Sequence, residues 1–292
     1  MDQNYENILV EADTSSLEDV KHAFDNGAQG IGILRTEHIA LCSEEGQYNY
    51  YRKVLEEADG KPVTIRTFVG SDEKATGQWG IRYSMSNPEI LLRQLRAILK
   101  ASASGSVSIV FPGITVIEEF QWAKKQVDLA KRNLQEKEYN NHVPLGIMVE
   151  IPTVVICLEM FIHEVNFYII DSDILIRNLV AADDLDSIPG DLTNPLHPVL
   201  LRTINQFIRG KLGKKPSASV CGGLVETNYA VPFLKGVGVR SIAVAPEEIS
   251  DKQRLAEKLD KENSMKIASK TLALSSTVRI EKYISTALDK LN

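Results

Sequence analysis

PLGIMVEI, residues 144–151, is the stretch on which the fold turns. It is apolar without alternation until Glu150, and a proline follows at position 152. An alternating strand has one wet face; a continuous apolar one is covered on both, as in parallel sheets flanked by helices. Seven other runs read the same way: NILVEA (7–12), GIGILR (30–35), PVTIRTF (62–68), SVSIVFP (106–112), NFYIID (166–171), SASVCG (217–222) and RSIAVAP (240–246).

Helical patterns separate these runs. SSLEDVKHAFDNGA (15–28) opens with Ser16 as an N-cap and stops at Gly27. NPEILLRQLRAILKASASG (87–105) places Pro88 in the first turn and Gly105 past the end. A long charged helix is expected within 116–140, and another starting after Asn194 and Pro195. Eight strands alternating with helices predict a (β/α)8 TIM barrel, eight being the closure number. A doubly wound open sheet is the alternative. The chain is expected to be one domain, with the barrel over about 6–250 and a polar helical tail over about 251–292.

Bulk properties narrow the function. The 292 residues carry a net charge of −6, which argues against nucleic acid, whose phosphates need a concentrated basic face. No apolar run approaches the roughly 20 residues of a membrane span. The beginning, MDQNYENILVEAD, lacks the basic-then-apolar layout of a secretory signal. Three cysteines, Cys42, Cys157 and Cys221, read as reduced thiols of a cytoplasmic protein.

A barrel places its active site at the C-terminal strand ends. Those ends carry Arg35-Thr36-Glu37, Arg66-Thr67, Phe111-Pro112, Glu150, Asp171 and Asp173, Cys221-Gly222-Gly223 and Ala245-Pro246. Arg35 and Arg66 suggest an anion clamp, because a guanidinium binds phosphate or carboxylate through paired hydrogen bonds. Each could instead pair with a local carboxylate such as Glu37. Glu150 with a nearby aspartate could hold magnesium, or could serve a helix N-terminus. Cys221 could be an acid, a base or a nucleophile, or simply a small buried residue. His38 could face the site.

Taken together, GAQGIGILRTEH (27–38), GKPVTIRTF (60–68), 87–105, LGIMVEIPTVVI (145–156), NPLHPVLLRTI (194–204) and SVCGGL (219–224) resemble the phosphoenolpyruvate-binding barrel of Enzyme I of the bacterial sugar phosphotransferase system. The resemblance covers nearly the whole chain, in order. It implies phosphoryl transfer from phosphoenolpyruvate to a histidine on a separate domain, with magnesium neutralising the substrate. On this resemblance Arg35, Arg66 and Asp173 are substrate-binding positions. Glu150 is a metal ligand and Cys221 the catalytic proton donor. A homodimer is implied as well. The 292 residues begin at the barrel, so a phosphohistidine domain is expected either in another chain or outside these residues.

Several positions depart from the family pattern. The metal-ligand aspartate aligns with Ile174, leaving Asp171 or Asp173 as substitutes, and the substrate-contacting asparagine aligns with Asp173. One phosphate-binding arginine aligns with Trp79 in Gly77-Gln78-Trp79, another with Asp184, and the glutamate after Cys-Gly with Gly223. Losing one charge-assisted contact costs about 2 to 4 kcal/mol of transition-state stabilisation. The sequence therefore predicts a divergent, catalytically impaired barrel acting in ligand sensing, regulation or assembly, on phosphoenolpyruvate or another small anion. Two alternatives remain: an active phosphoenolpyruvate-dependent phosphotransferase, and a magnesium-dependent lyase on an acidic substrate with Glu150 and Asp173 as ligands.

Overall fold

The structure is a computed structural model that describes residues 7–70, 78–134, 139–182, 192–210 and 216–290. Its strands are β1 (Leu9–Thr14), β2 (Ile31–Leu34), β3 (Val63–Arg66), β4 (Val107–Phe111), β5 (Leu145–Val149), β6 (Phe167–Asp171), β7 (Ser217–Cys221) and β8 (Ser241–Val244). All eight expected runs are strands, each parallel to its neighbours. The sheet closes because β8 pairs with β1, from Leu9 opposite Ser241 to Ala12 opposite Val244. Closure excludes the open sheet and leaves no unpaired edge.

Around the barrel lie α1 (Leu17–Asp25), α2 (Glu44–Ala58), α3 (Ile81–Ser86), α4 (Pro88–Ala101), α5 (Ile117–Arg132), α6 (Pro152–Ile156), α7 (Leu158–Phe161), α8 (Ser172–Leu179), α9 (Pro198–Gly210), α10 (Gly223–Glu226), α11 (Ala230–Val237) and α12 (Ile249–Lys258). Ser16 caps α1 as expected. Its Oγ accepts from the Asp19 N–H at 3.1 Å, and the Asp19 carboxylate accepts from the Ser16 N–H at 2.9 Å. α9 begins at Pro198, later than the sequence suggested. Asn194 forms a turn instead, its Oδ1 accepting from the Leu196 N–H at 2.8 Å. A residue before proline disfavours helical angles, so His197 holds the start back until Pro198 occupies the first helical position.

The tail is structural. α13 (Lys261–Ala273) crosses α11 so closely that a Cβ on Gly236 would collide with the Ser264 carbonyl. Lys235 donates to the carbonyls of Ala256 and Leu259 and to Asn7 Oδ1, tying that crossing to the start of the barrel. Ile280 and Ile284 of α14 (Thr277–Asp289) are fully buried, each contributing about 2 kcal/mol by removal from water. Among the described residues, no helix is long and apolar enough to cross a membrane.

Strand periodicity sorts the core into two. Residues facing the helices form one large cluster. Ile33, Val110, Met148, Ile169, Cys221 and Ala243 form a second inside the barrel, a plug of packed side chains. β1 departs from the continuous apolar reading. Its partly exposed Leu9, Glu11 and Asp13 alternate with buried residues, placing Glu11 and Asp13 on the barrel-facing side.

Candidate functional site

Counting two residues along each strand from the apolar plug gives the mouth. Arg35 follows Ile33, Glu150 follows Met148, Asp171 follows Ile169, and Cys221 belongs to the plug itself. Asp13 and Arg66 complete the ring at the ends of β1 and β3. Arg35, Arg66, Glu150, Asp171 and Cys221 all lie at this end, and the charged groups sit on an apolar floor, where Coulomb interactions are strong.

On one side the arginines are paired. Arg35 forms a two-pronged bond with Asp13, Nε and Nη2 each donating at 2.7 Å, and this bond holds its proton still more firmly. Arg66 Nη2 donates to Glu37 Oε1 at 2.5 Å. Arg66 is buried, while the Glu37 side chain is 41% exposed. The enclosed Nε of Arg66 has no partner among the described residues.

On the other side lie carboxyl groups. Glu150 is fully buried; its Oε2 accepts from the Gly113 N–H at 2.6 Å, and its enclosed Oε1 has no partner among the described residues. Gly113 aims that N–H from a left-handed conformation, φ +74°, where its Cα lies against Gly80. Burial and then the charge of Asp171 push the Glu150 carboxyl up to about 8, against the Gly113 bond and both arginines.

An extended segment would place Asp171 and Asp173 on one face, but the strand ends at Asp171 and α8 starts at Ser172. The Asp171 Oδ1 caps that helix, accepting from the N–H groups of Asp173 and Ile174 at 3.1 Å each. Burial raises the Asp171 carboxyl, as does the neighbouring charge of Asp173. Asp173 leans away toward β7. Both its oxygens accept from the Gly223 N–H, at 2.9 and 3.0 Å, and Gly222 beside it has φ +88°, where a Cβ would strike Asp173. Burial raises Asp173 too. Cys221 is enclosed, and burial, then Asp171, push its thiol well above the ordinary value, so it is neutral.

Other candidates lie elsewhere. His38 is exposed and stacks edge-on against Tyr50 of α2, 5.0 Å between ring centres, rather than facing the mouth. Trp79 is half-buried, with its carbonyl against Gly113. Gly77 and Asp184 lie outside the described residues. No group of three or more His, Cys, Asp or Glu able to hold a metal occurs among the described residues. Asp13 was missed by sequence reasoning. The available signal was Glu11 and Asp13 alternating with apolar residues at the end of the first run.

Residues 2–261 match the family described as PEP-utilising enzyme, PEP-binding domain. The chain belongs to this family. Among curated PEP-utilising relatives, the phosphoenolpyruvate-protein phosphotransferase of Staphylococcus epidermidis is 33% identical over 294 residues, covering 94% of this chain and 51% of that protein. The corresponding protein of Mycoplasma capricolum is 30% identical over 303 residues, covering 97% and 53%. The chain thus spans about half the length of the curated relatives it matches. Among solved structures, a citrate lyase from Burkholderia xenovorans LB400 superposes with a TM-score of 0.55 at 15% identity, covering 98% of this chain and 92% of that one. An HpcH/HpaI aldolase/citrate lyase family protein from Burkholderia cenocepacia gives 0.53 at 13% identity, covering 87% and 93%. At such identities these two share the barrel, and the PEP-utilising assignment rests on the sequence relatives.

Proposed function

We propose that the mouth binds phosphoenolpyruvate or a similar small polyanion, that turnover of this ligand is impaired, and that the protein acts in ligand sensing, regulation or assembly. One observation carries the reading: both guanidiniums of the predicted clamp are engaged by the protein's own carboxylates, Arg35 by Asp13 and Arg66 by Glu37. An incoming polyanion competes with both pairs. It also meets Glu150, Asp171 and Asp173 across the mouth, so the transition-state charge finds less counter-charge than a free clamp would offer.

Magnesium fits the acidic side. Glu150 offers an enclosed oxygen without a partner among the described residues, and its carboxyl feels the charge of Asp171. A pair of carboxylates with substrate oxygens suits this ion, so Glu150 and Asp171 are its proposed holders. Bound there, magnesium would supply the positive charge this side lacks. Asp173, tied to Gly223, would border the ligand instead. A phosphohistidine-carrying partner domain and a homodimer complete the proposal, both on the strength of the resemblance.

A second reading, active phosphoryl transfer, is favoured by Cys221. A neutral thiol at the mouth can give its proton to the enolate carbon after the phosphorus–oxygen bond breaks and a phosphorus–nitrogen bond forms on an acceptor histidine. Calorimetric titration with phosphoenolpyruvate, with and without magnesium, tests the first reading. The expected result is weak binding, on the order of millimolar, that strengthens with magnesium. Tight binding that ignores the metal would contradict it.

A further inference from the structure

Behind the paired arginines lies a buried polar network that contacts no candidate ligand group. Thr36, Gln94 and Tyr51 are almost completely enclosed. The Thr36 hydroxyl donates to the Arg66 carbonyl at 2.8 Å, linking the end of β2 to the end of β3. One amide hydrogen of Gln94, from α4, is directed to Thr36 Oγ1 at 2.9 Å and the other to the Tyr51 hydroxyl at 3.1 Å. Gln94 Oε1 accepts from the Phe68 N–H at 2.9 Å. All three polar hydrogen-bonding groups of the amide are therefore used, which fixes its orientation.

The network braces the main chain just after the arginine's exit point, at the carbonyl of Arg66 and at the N–H of Phe68 beyond the end of β3. It also braces the opposing carboxylate. The Thr36 carbonyl accepts from the N–H groups of Ile39 and Ala40, closing the turn that carries Glu37. A guanidinium binds an anion well only when its fork is aimed, and a long side chain is aimed by the main chain it leaves.

We propose that Thr36 is a positioning residue of the anion site. Its hydroxyl, oriented by Gln94, sets the main chain of Arg66 and so the direction of the guanidinium whose Nε has no partner among the described residues. The inference rests on the reading that the mouth binds phosphoenolpyruvate. It assigns Thr36 a role although the side chain touches no ligand.

Thr36→Val keeps the shape and removes the donor; Thr36→Ser keeps the donor. Tyr51→Phe deletes a neighbouring buried hydroxyl of the same network that has no bond to β3, and serves as the structural control. With magnesium present, Thr36→Val is expected to weaken phosphoenolpyruvate binding about tenfold. Thr36→Ser and Tyr51→Phe should stay within about twofold, even where Tyr51→Phe lowers the melting temperature as much as Thr36→Val does. In an Arg66→Ala background, Thr36→Val should add less than about a further twofold, because its effect passes through Arg66. Equal binding by Thr36→Val and wild type, or an unchanged tenfold loss without Arg66, would overturn the proposal. Should Thr36→Val fail to fold, Thr36→Ala, which leaves room for a water, is read by the same criteria.

If wild-type protein binds no phosphoenolpyruvate, the functional reading fails and the positioning role is judged on Arg66 itself. In arginine-labelled protein, the Nε–H resonance of Arg66 should move and exchange faster in Thr36→Val but not in Thr36→Ser. An unchanged resonance in Thr36→Val would sink the positioning role independently.

Discussion

On the β1–β3 side of the mouth, each guanidinium faces a carboxylate: Arg35 meets Asp13, and Arg66 meets Glu37. On the β5–β7 side, the carboxyl groups of Glu150, Asp171 and Asp173 meet backbone N–H groups instead. The floor beneath both is the same apolar plug. On the first side each guanidinium is bonded to a carboxylate. On the second the carboxyls have no such partner among the described residues and shift upward toward the neutral form. The acidic side thus has no bonded counter-ion among the described residues, whereas on the basic side each guanidinium has one.

The comparison breaks most severely at Arg66. Arg66→Ala should weaken phosphoenolpyruvate binding at least about 100-fold, measured by calorimetry, since it removes the charge and the unpartnered Nε together. The stability loss should stay at about 1 kcal/mol, because its partner Glu37 is 41% exposed and remains solvated when left alone. Wild-type affinity in this variant would show that the arginine side takes no part in binding.

Glu150 sharpens the other side. Its carboxyl holds a proton up to about pH 8 in the folded protein but releases it near 4.5 once exposed. Folding therefore retains a proton that the unfolded chain loses. The stabilisation is complete below about pH 4.5 and is lost as pH rises toward 8. Glu150→Gln, which keeps an acceptor for Gly113 without the charge, should raise the melting temperature at pH 8 by about 5 °C and leave it unchanged at pH 4.5. A lower melting temperature at pH 8 would mean that the carboxylate is ionised and paired in the native protein.

Asp173→Asn has a smaller effect of opposite sign on binding. It removes one negative charge facing the ligand and retains one acceptor for the Gly223 N–H, so phosphoenolpyruvate should bind about threefold to tenfold tighter. Weaker binding would mean that Asp173 contacts the ligand favourably. The smallest effect concerns Cys221. In native protein at pH 8, iodoacetamide should modify exposed Cys42 and leave enclosed Cys221 untouched, as peptide mass mapping would show.

The fold was legible because buried parallel strands leave apolar runs, and each of the eight runs proved to be a strand even where, as in β1, polar residues alternate within it. The mouth was legible to the extent that strand ends could be counted. Arg35, Arg66, Glu150, Asp171 and Cys221 follow from position alone. Partnership was not legible. That Arg35 chooses Asp13, 22 residues away on the neighbouring strand, depends on the register between β1 and β2, which no local pattern encodes. Nor was the switch from strand to helix at Ser172, where a capping bond of Asp171 overrides the apolar run continuing at Ile174. Gln94 escaped for a related reason. Within LLRQLRAILK it reads as one polar residue on an amphipathic helix, and only its enclosure against β2 and β3 reveals a brace.

Turnover tests the central claim most directly. The purified chain would be mixed with phosphoenolpyruvate, magnesium and the phosphohistidine-bearing part of a phosphotransferase relative, and pyruvate release followed. With its arginines held by its own carboxylates, the barrel is expected to release pyruvate no faster than the Arg66→Ala variant does. Sustained, magnesium-dependent release that Arg66→Ala abolishes would contradict the account and establish an active phosphotransferase.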